Sequence, residues 1–234
     1  MTERPTSQGR KENRLPPAQH GAGTISLAPG GQLLYLDVVH EPAPRLRPTA
    51  VARLGRRLDR LLSEEEVSAG VIFEGTKARN TAVLAALTNS AALSNDVERT
   101  YRTEIVDHID DRDTSTVDDA EGLFHFINVF SVAPGRSEHM IEYFTHTIPA
   151  VRVQPGYVST NLIVNTSGTR AVNIGQYRTR KEFIAIFRQK SVLRAFSAGP
   201  SYKVMRRALG VLPAIPRLRL YGEPVVTRGT SDAP

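Results

Sequence analysis

Three polar side chains stand in apolar, aromatic-rich stretches of the sequence: Asn128, Asn173 and Tyr177. Successive residues of a strand point to opposite faces, so Asn128 shares a face with Phe126 and Phe130. By the same alternation, Asn173 shares a face with Tyr177. Two carboxamides and a phenol beside phenylalanines are typical of a mostly apolar pocket that holds a small molecule through a few hydrogen bonds.

The chemistry open to such a set is limited. A carboxamide is not a strong base near neutral pH, but it can donate hydrogen bonds to a developing enolate or peroxide oxygen. Tyr177 can position a ring or relay a proton. We therefore predict Asn128, Asn173 and Tyr177 as catalytic residues. The predicted substrate-binding residues are Phe126, Phe130, Phe144 and Phe183. Each residue also has a structural alternative, in a core or as a hydrogen-bond partner within the sheet.

The segment that carries these residues predicts a β-α-β-β-α-β order. Period-two patterns and turn residues indicate strands at 124–132, 157–165, 170–177 and 217–221. The first helix has Met140, Phe144, Ile148 and Val151 on one face, and a second helix is predicted over 180–196. This order is the ferredoxin-like plan. Its first and third strands are neighbours, so Asn128 should approach Asn173.

The first half of the chain carries the same pattern. Residues 31–40 align with residues 122–131 at a shift of 91, and the shift recurs between Ile72 and Ile163. The shift falls to 90 residues in the intervening helix and is expected to return to 91 before Val67. A period held through several segments indicates duplication. In this alignment, the counterparts of Asn128, Asn173 and Tyr177 are Asp37, Ala82 and Ala86.

We therefore predict an α+β fold with two tandem ferredoxin-like domains, packed sheet to sheet as an intramolecular α/β barrel. The expected limits are 25–109 for a degenerate domain and 122–226 for the domain that carries the chemistry. An acidic linker is predicted at 110–121, and tails at 1–24 and 227–234.

Two finer features complete the predicted layout. In the degenerate domain we expect a short helix at 90–102, followed by a strand at 104–108. Residues 197–216 are predicted to form either a surface elaboration or a lid over the pocket.

Three segments resemble the antibiotic biosynthesis monooxygenase domain: 126–135, 155–159 and 172–179. The resemblance covers residues 122–190. It implies a dimeric α/β barrel that oxidises aromatic polyketides with O2, without a metal, haem or bound flavin. Asn128 and Asn173 match two asparagines of the family. Tyr177 stands where the family has Trp, and Phe183 stands where it often has Tyr.

The implied function is an oxygenase that converts an anthrone or phenol to a quinone, or cleaves a ring. Two-domain relatives include enzymes that open the B ring of angucyclines, and some of these work with reduced flavin supplied in solution. The sequence has no Gly-rich dinucleotide fingerprint. We therefore expect no tightly bound cofactor, and any flavin would be a diffusible reductant. The alternatives are a non-redox polyketide cyclase or a small-molecule-binding barrel.

Composition and net charge limit the classes of protein to which the chain can belong. The 234 residues carry a net charge of +6 and no Cys, so disulfides and thiolate metal sites are excluded. No apolar run suggests a membrane span, and the polar N-terminus does not resemble a signal peptide. These features predict a cytoplasmic protein. The arginines lack interleaved aromatic residues, which disfavours nucleic-acid binding. The expected partner is an aromatic polyketide, and a further homodimer is left open.

The histidines add little. His139 and His146 lie on one predicted helix, but a metal site would need carboxylates or further histidines nearby, so it is disfavoured. His125 should point away from Asn128 because the two positions differ in parity. The haem-degrading branch of the family needs a His on the helix 180–196, which has none. Haem degradation is therefore not expected.

Overall fold

The computed structural model describes residues 24–40, 47–75, 80–88, 96–117, 122–197 and 219–229. Most of the predicted tails lies outside these residues. The insertion beyond Ser197 and the first part of the predicted helix at 90–102 also lie outside them.

Ten strands and four helices make up the described residues. The strands are β1 (Ile25–Leu27), β2 (Leu34–His40), β3 (Val67–Gly75), β4 (Asn80–Leu87), β5 (Thr100–His108), β6 (Ser115–Val117), β7 (Phe124–Ser131), β8 (Tyr157–Asn165), β9 (Arg170–Tyr177) and β10 (Arg219–Gly229). The helices are α1 (Arg47–Ser63), α2 (Ser137–Arg152), α3 (Arg180–Ile186) and α4 (Lys190–Ser197).

Eight strands close into one antiparallel barrel in the order β10-β3-β4-β2-β5-β8-β9-β7. The first half contributes β5-β2-β4-β3, and the second contributes β10-β7-β9-β8, which is the same ferredoxin-like order of fourth, first, third and second strand. Two seams, β5 with β8 and β10 with β3, join the halves by backbone hydrogen bonds. The α+β, ferredoxin-like character predicted from the sequence is confirmed.

Each long helix packs on the outside of the barrel through an apolar stripe at helical spacing. The stripe of α1 is Ala50, Leu54, Leu58 and Leu61. That of α2 is Met140, Phe144, Ile148 and Val151, each 90 residues later. The barrel lumen holds a separate core, which includes Leu36, Phe73, Ile127 and Ile174. The sheet of the second half therefore has a lumen face and a helix-covered face.

The predicted recovery of the 91-residue shift is wrong. Ala82 and Ala86 belong to the lumen core, whereas the pocket residues of β9 lie on the other face. Val83 and Leu87 lie on the helix-covered face of the first half, and Val83 pairs with Asp37. They are therefore the structural counterparts of Asn173 and Tyr177.

Strand irregularities support a 90-residue offset in this part of the chain. The β3–β4 register shifts between Val67 and Ala69, and the β8–β9 register shifts between Tyr157 and Ser159. Because both halves have this shift at equivalent positions, the offset between them stays at 90 through β3 and β4.

The sequence did not reveal β1 and β6, which pair as a two-stranded ribbon. Ile25, Leu27 and Val117 are buried in the lumen core, while Ser26 and Thr116 face solvent. The ribbon therefore covers an opening of the barrel. Part of the predicted acidic linker is thus a structural strand.

A buried polar network ties this ribbon to the second half. Ser159 Oγ donates to Gln176 Oε1 at 2.6 Å, and Ser115 Oγ lies 3.1 Å from both atoms. Gln176 Nε2 donates to the backbone oxygen of Thr116 at 2.7 Å. Asn161 Nδ2 donates to the oxygen of Ser115 at 3.3 Å.

Three element boundaries differ from the sequence prediction. Residues 100–102 begin β5 rather than end a helix. Strand β10 reaches Gly229 and pairs with β3, so the predicted tail begins too early. The predicted helix 180–196 is two helices, because the N–H groups of Arg188 and Gln189 bond three residues back, to Ala185 and Ile186, and end α3.

Candidate active site

Asn128 and Asn173 are direct cross-strand partners on β7 and β9. They lie on the helix-covered face, where they are flanked by the aromatic residues of β7. Asn173 is 7% exposed. The Oδ1 atom of each asparagine is buried without a hydrogen-bond partner among the described residues. Such acceptors are uncommon in folded proteins, and a bound ligand with O–H or N–H groups would satisfy them.

On one side of this pair lies an aromatic wall of Phe124, Phe126, Tyr157, Tyr177 and Phe183. Phe126 and Phe183 stack, with centroids 4.7 Å apart and planes at 27°. Tyr177 meets Phe183 edge-on at 5.2 Å. The Phe126 ring covers Gly175, where an added β-carbon would lie 2.0 Å from Cε1 of Phe126. Gly175 is therefore what allows this ring to lie flat on β9.

On the other side, Phe130 of β7 packs against α2. Its ring meets Phe144 at 5.8 Å and 80°, and Tyr143 meets Phe144 at 5.4 Å and 87°. Leu162, the β8 partner of Asn173, belongs to the same cluster. All seven residues predicted for the site thus lie between the sheet β7–β9–β8 and the helices α2 and α3. The geometry brings them together but does not test their roles.

Helix α3 is positioned by its first turn. Thr179 Oγ1 accepts from the backbone N–H of Glu182 at 3.2 Å and donates to the Glu182 carboxylate at 2.8 Å. This N-terminal cap fixes where the helix begins. Phe183 follows one turn later and so reaches the aromatic wall.

The site tyrosines are held in their neutral form. Burial raises the pKa of the Tyr177 phenol well above its ordinary value. Burial has the same effect on the pKa of Tyr143. Near neutral pH, both side chains are therefore hydrogen-bonding phenols and not phenolates.

Sequence reasoning missed Tyr157 and Asp107. The Tyr157 ring meets Tyr177 edge-on at 5.8 Å, and its hydroxyl donates to the Asp107 carboxylate. Asp107 lies on β5, across the seam from β8, so a residue of the first half reaches the site in the second half. Tyr157 lies within one of the quoted family segments, but no local pattern pairs it with Asp107.

The corresponding position of the first half is occupied by an ion-pair cluster. Asp37, the counterpart of Asn128, lies 3.0 Å from Arg57 Nη1 and 3.2 Å from Arg99 Nε. Arg57 also lies over the Tyr35 ring, 5.1 Å from its centroid. With Val83 and Leu87 beside this cluster, the first half lacks the carboxamide pair of the second.

His125 points into the lumen, as alternation predicts, with its Nε2 3.1 Å from Gln176 Nε2. His146 is exposed, 3.9 Å from Glu142. Among the described residues, no group of three or more His, Asp or Glu side chains could hold a metal ion.

None of the described helices is long and apolar enough to cross a membrane.

Comparison with known proteins adds sequence and fold similarity. No protein-family model matches the chain. The tetracenomycin-F1 monooxygenase of Streptomyces glaucescens is 30% identical over 73 residues, which is 31% of this chain and 65% of that protein. The match thus spans just under two thirds of the curated relative. This similarity agrees with the resemblance of residues 122–190 to the antibiotic biosynthesis monooxygenase domain.

Solved structures agree on the fold. An anthrone oxidase-like protein superposes with a TM-score of 0.65 at 12% identity, covering 89% of this chain and 98% of that one. A major regulator of staphylococcal pathogenesis superposes with a TM-score of 0.54 at 9% identity, covering 83% of this chain and 100% of that one. At such identities the likeness shows the fold alone, and this fold serves both kinds of protein.

Proposed function

We propose that this protein is an oxygenase that tailors an aromatic polyketide, oxidising an anthrone or phenol to a quinone or cleaving a ring with O2. The observation that carries the proposal is the pair of buried, unpartnered carboxamide oxygens of Asn128 and Asn173 beside the aromatic wall. The similarity to a tetracenomycin-F1 monooxygenase supports the same substrate class.

In this proposal the substrate supplies the electrons. An anthrone-type CH2 loses a proton, and the carbanion transfers an electron to O2. Recombination gives a hydroperoxide that loses water to leave a quinone carbonyl. The Oδ1 atoms of Asn128 and Asn173 accept hydrogen bonds from substrate hydroxyl groups, and their Nδ2 groups donate to the substrate oxygen that takes up negative charge. Tyr177, Phe126 and Phe183 orient the ring between them.

No tightly bound cofactor is part of the proposal. Reduced flavin, where needed, acts as a diffusible reductant. Tyr177 and Phe183 replace residues to which the family assigns electron transfer and phenol hydrogen bonding, so those roles do not carry over to this chain.

We also propose that the chain arose by duplication. The shared strand order of the halves and their equally placed register shifts support two tandem domains within one barrel. In this arrangement the first domain replaces the second subunit of a dimeric relative. The ion pairs at Asp37 are the observation that favours one active half.

Oxygen consumption with a dihydroxyanthrone under air tests the function. We expect the wild type to consume O2 and form the quinone, and Asn173→Ala to lower the rate about a hundredfold, the usual effect of removing an oxyanion donor. Val83→Ala, at the counterpart position of the first half, is the matched control and should keep the wild-type rate. Equal rates for a folded Asn173→Ala variant would remove Asn173 from the mechanism.

A non-redox cyclase or a binding protein is the second candidate. The replacement of the family's Trp by Tyr177 favours it, because that position belongs to the redox chemistry of the family. Cyclisation or tight binding of a polyketide by the wild type, without O2 uptake, would select this candidate.

A further inference from the structure

The proposed reaction needs a proton acceptor, and the residues assigned so far do not provide one. Loss of a proton from an anthrone-type CH2 is the first step. The carboxamides of Asn128 and Asn173 are not bases near neutral pH, and burial keeps the Tyr177 phenol protonated. The acceptor must therefore be another group at the aromatic wall.

Asp107 brings a carboxylate to the edge of this wall. Its side chain is 16% exposed. The Tyr157 hydroxyl donates to Asp107 Oδ2 and also lies 3.3 Å from the Asp107 backbone oxygen. Tyr157 is 3% exposed and pairs with Tyr177 in the β8–β9 register. The phenol thus bridges the carboxylate and the wall where the substrate would lie.

The two carboxylate oxygens of Asp107 have different partners. Arg152, at the end of α2, donates from Nη1 to Oδ1 at 3.1 Å. Its other terminal nitrogen pairs with Asp111, in the segment after β5. The neighbouring His108 lies 3.7 Å from Asp110. Since Arg152 occupies Oδ1, Oδ2 is the oxygen left to exchange a proton with Tyr157.

We propose that Asp107, a residue of the first half, accepts the substrate proton through the Tyr157 phenol. This inference rests on the proposed oxygenase function. As the substrate C–H bond breaks, its proton moves to the Tyr157 oxygen and the Tyr157 proton moves to Asp107 Oδ2. The electron pair stays on the substrate carbon as an enolate, and Asp107 becomes a neutral carboxylic acid.

The same path returns the proton. The enolate is oxidised by O2, the co-substrate, to a peroxide anion with a new C–O bond. Asp107 then gives its proton back through Tyr157, and a hydroperoxide forms. Elimination of water from the hydroperoxide leaves the quinone carbonyl and the Asp107 carboxylate. Over one cycle, CH2 and O2 become C=O and H2O.

The pH dependence of O2 uptake tests this relay. Asp107→Asn removes the proton acceptor, and Tyr157→Phe removes the bridging oxygen while keeping the ring in the wall. Without the relay, only substrate that ionises by itself can react. We expect the rates of both variants to rise about tenfold per pH unit below the substrate pKa, where the wild-type rate is flat.

The matched control is Asp111→Asn. Asp111 pairs with the same arginine but is 82% exposed, and its variant should keep the wild-type profile. A loss of packing alone would lower the rate of Asp107→Asn or Tyr157→Phe by the same factor at every pH. That result, or a wild-type profile in the folded Tyr157→Phe variant, would overturn the relay and leave the oxygenase proposal standing. No O2 uptake by the wild type at any pH would instead overturn the oxygenase proposal.

Discussion

An unpartnered carbonyl oxygen buried in an apolar wall destabilises a folded protein by about 1–3 kcal/mol. Asn128 and Asn173 place two such oxygens side by side on neighbouring strands. A ligand with hydroxyl groups would remove this penalty on binding, and an apolar ligand would not. We therefore expect the site to bind aromatic compounds that carry hydroxyl groups in preference to those that do not.

Gly175→Ala tests whether the Phe126 ring is fixed by the missing side chain beneath it. The new β-carbon would lie 2.0 Å from Cε1 of Phe126, so the ring must leave its stack with Phe183. Overpacking of this kind usually costs about 1–3 kcal/mol. We expect urea denaturation to show that loss, and binding of a hydroxyanthrone to weaken with it.

Gly55→Ala is the control for that experiment. Gly55 lies inside α1, and its added β-carbon would lie 4.0 Å from Cδ1 of Ile72, which is ordinary contact. Alanine is favoured over glycine in a helix by about 1 kcal/mol, so this variant should gain stability. A stability loss at Gly55 equal to that at Gly175 would contradict our account of the Phe126 ring.

Tyr177→Phe should make the protein less sensitive to alkali. Burial raises the folded pKa of Tyr177 above the unfolded value of about 10. The stability that the neutral Tyr177 phenol contributes to the folded protein is therefore complete below pH 10. It is lost as the pH rises above 10, because only the unfolded chain can ionise at this residue. Between pH 9 and pH 11, the wild type should lose about 1.4 kcal/mol more than the variant in urea denaturation. Identical losses would show that Tyr177 ionises within the folded protein.

At the scale of elements, alternation predicted which residues of β7 and β9 share a face. The period-two pattern of β7 and the ferredoxin-like order together predicted that Asn128 approaches Asn173, and the structure pairs them directly. The same reasoning failed in the first half, where Ala82 and Ala86 were matched to β9. The offset of 90 that begins in the first helix continues through β3 and β4, so matching at 91 moved each residue of β4 to the opposite face.

Short elements escaped prediction for a different reason. β1 and β6 have three residues each, too few to establish an alternating pattern. Their burial depends on contacts with the lumen core, which are distant in sequence. The break between α3 and α4 likewise reflects tertiary packing, because Phe183 of α3 and Val192 of α4 both pack in the apolar cluster that contains the aromatic wall.

Exchanging the counterpart residues of the two halves tests their asymmetry. Asn128→Asp puts a carboxylate where the Asn128 Oδ1 atom is buried beside the aromatic wall, and desolvation should raise its folded pKa above the unfolded value of about 4. The resulting destabilisation should be present above pH 4 and disappear below it. Asp37→Asn removes only partly exposed ion pairs and should cost about 1 kcal/mol or less.

Urea denaturation across pH separates these outcomes, and O2 uptake adds a second measurement. Asn128→Asp should lower the oxidation rate, whereas Asp37→Asn should leave it unchanged. If the stability of Asn128→Asp did not depend on pH, the surroundings of residue 128 would already stabilise a charged carboxylate. A loss of activity in Asp37→Asn would show that the ion-pair cluster of the first half takes a direct part in the chemistry.

For the whole molecule, the closed barrel explains how one half can support the other. Both seams are backbone ladders, so neither half has a free sheet edge between them. Tandem similarity in the sequence predicted two packed domains. It could not predict that β5 would carry Asp107 to Tyr157, because that contact depends on the register across the β5–β8 seam.

Ser115→Ala tests whether the ribbon of β1 and β6 helps to hold the barrel together. The Ser115 hydroxyl contacts Ser159, Gln176 and Asn161, all buried. Removing it should lower the free energy of unfolding by about 1–3 kcal/mol. Thr116→Ala is the control. Gln176 bonds Thr116 only at its backbone oxygen, and the Thr116 side chain faces solvent, so the change should stay within about 0.5 kcal/mol.

Because the network joins the ribbon to β8 and β9, both variants should still unfold in one transition in urea. A separate early transition in Ser115→Ala, or equal losses in the two variants, would mean that the ribbon lies on the barrel without stabilising it.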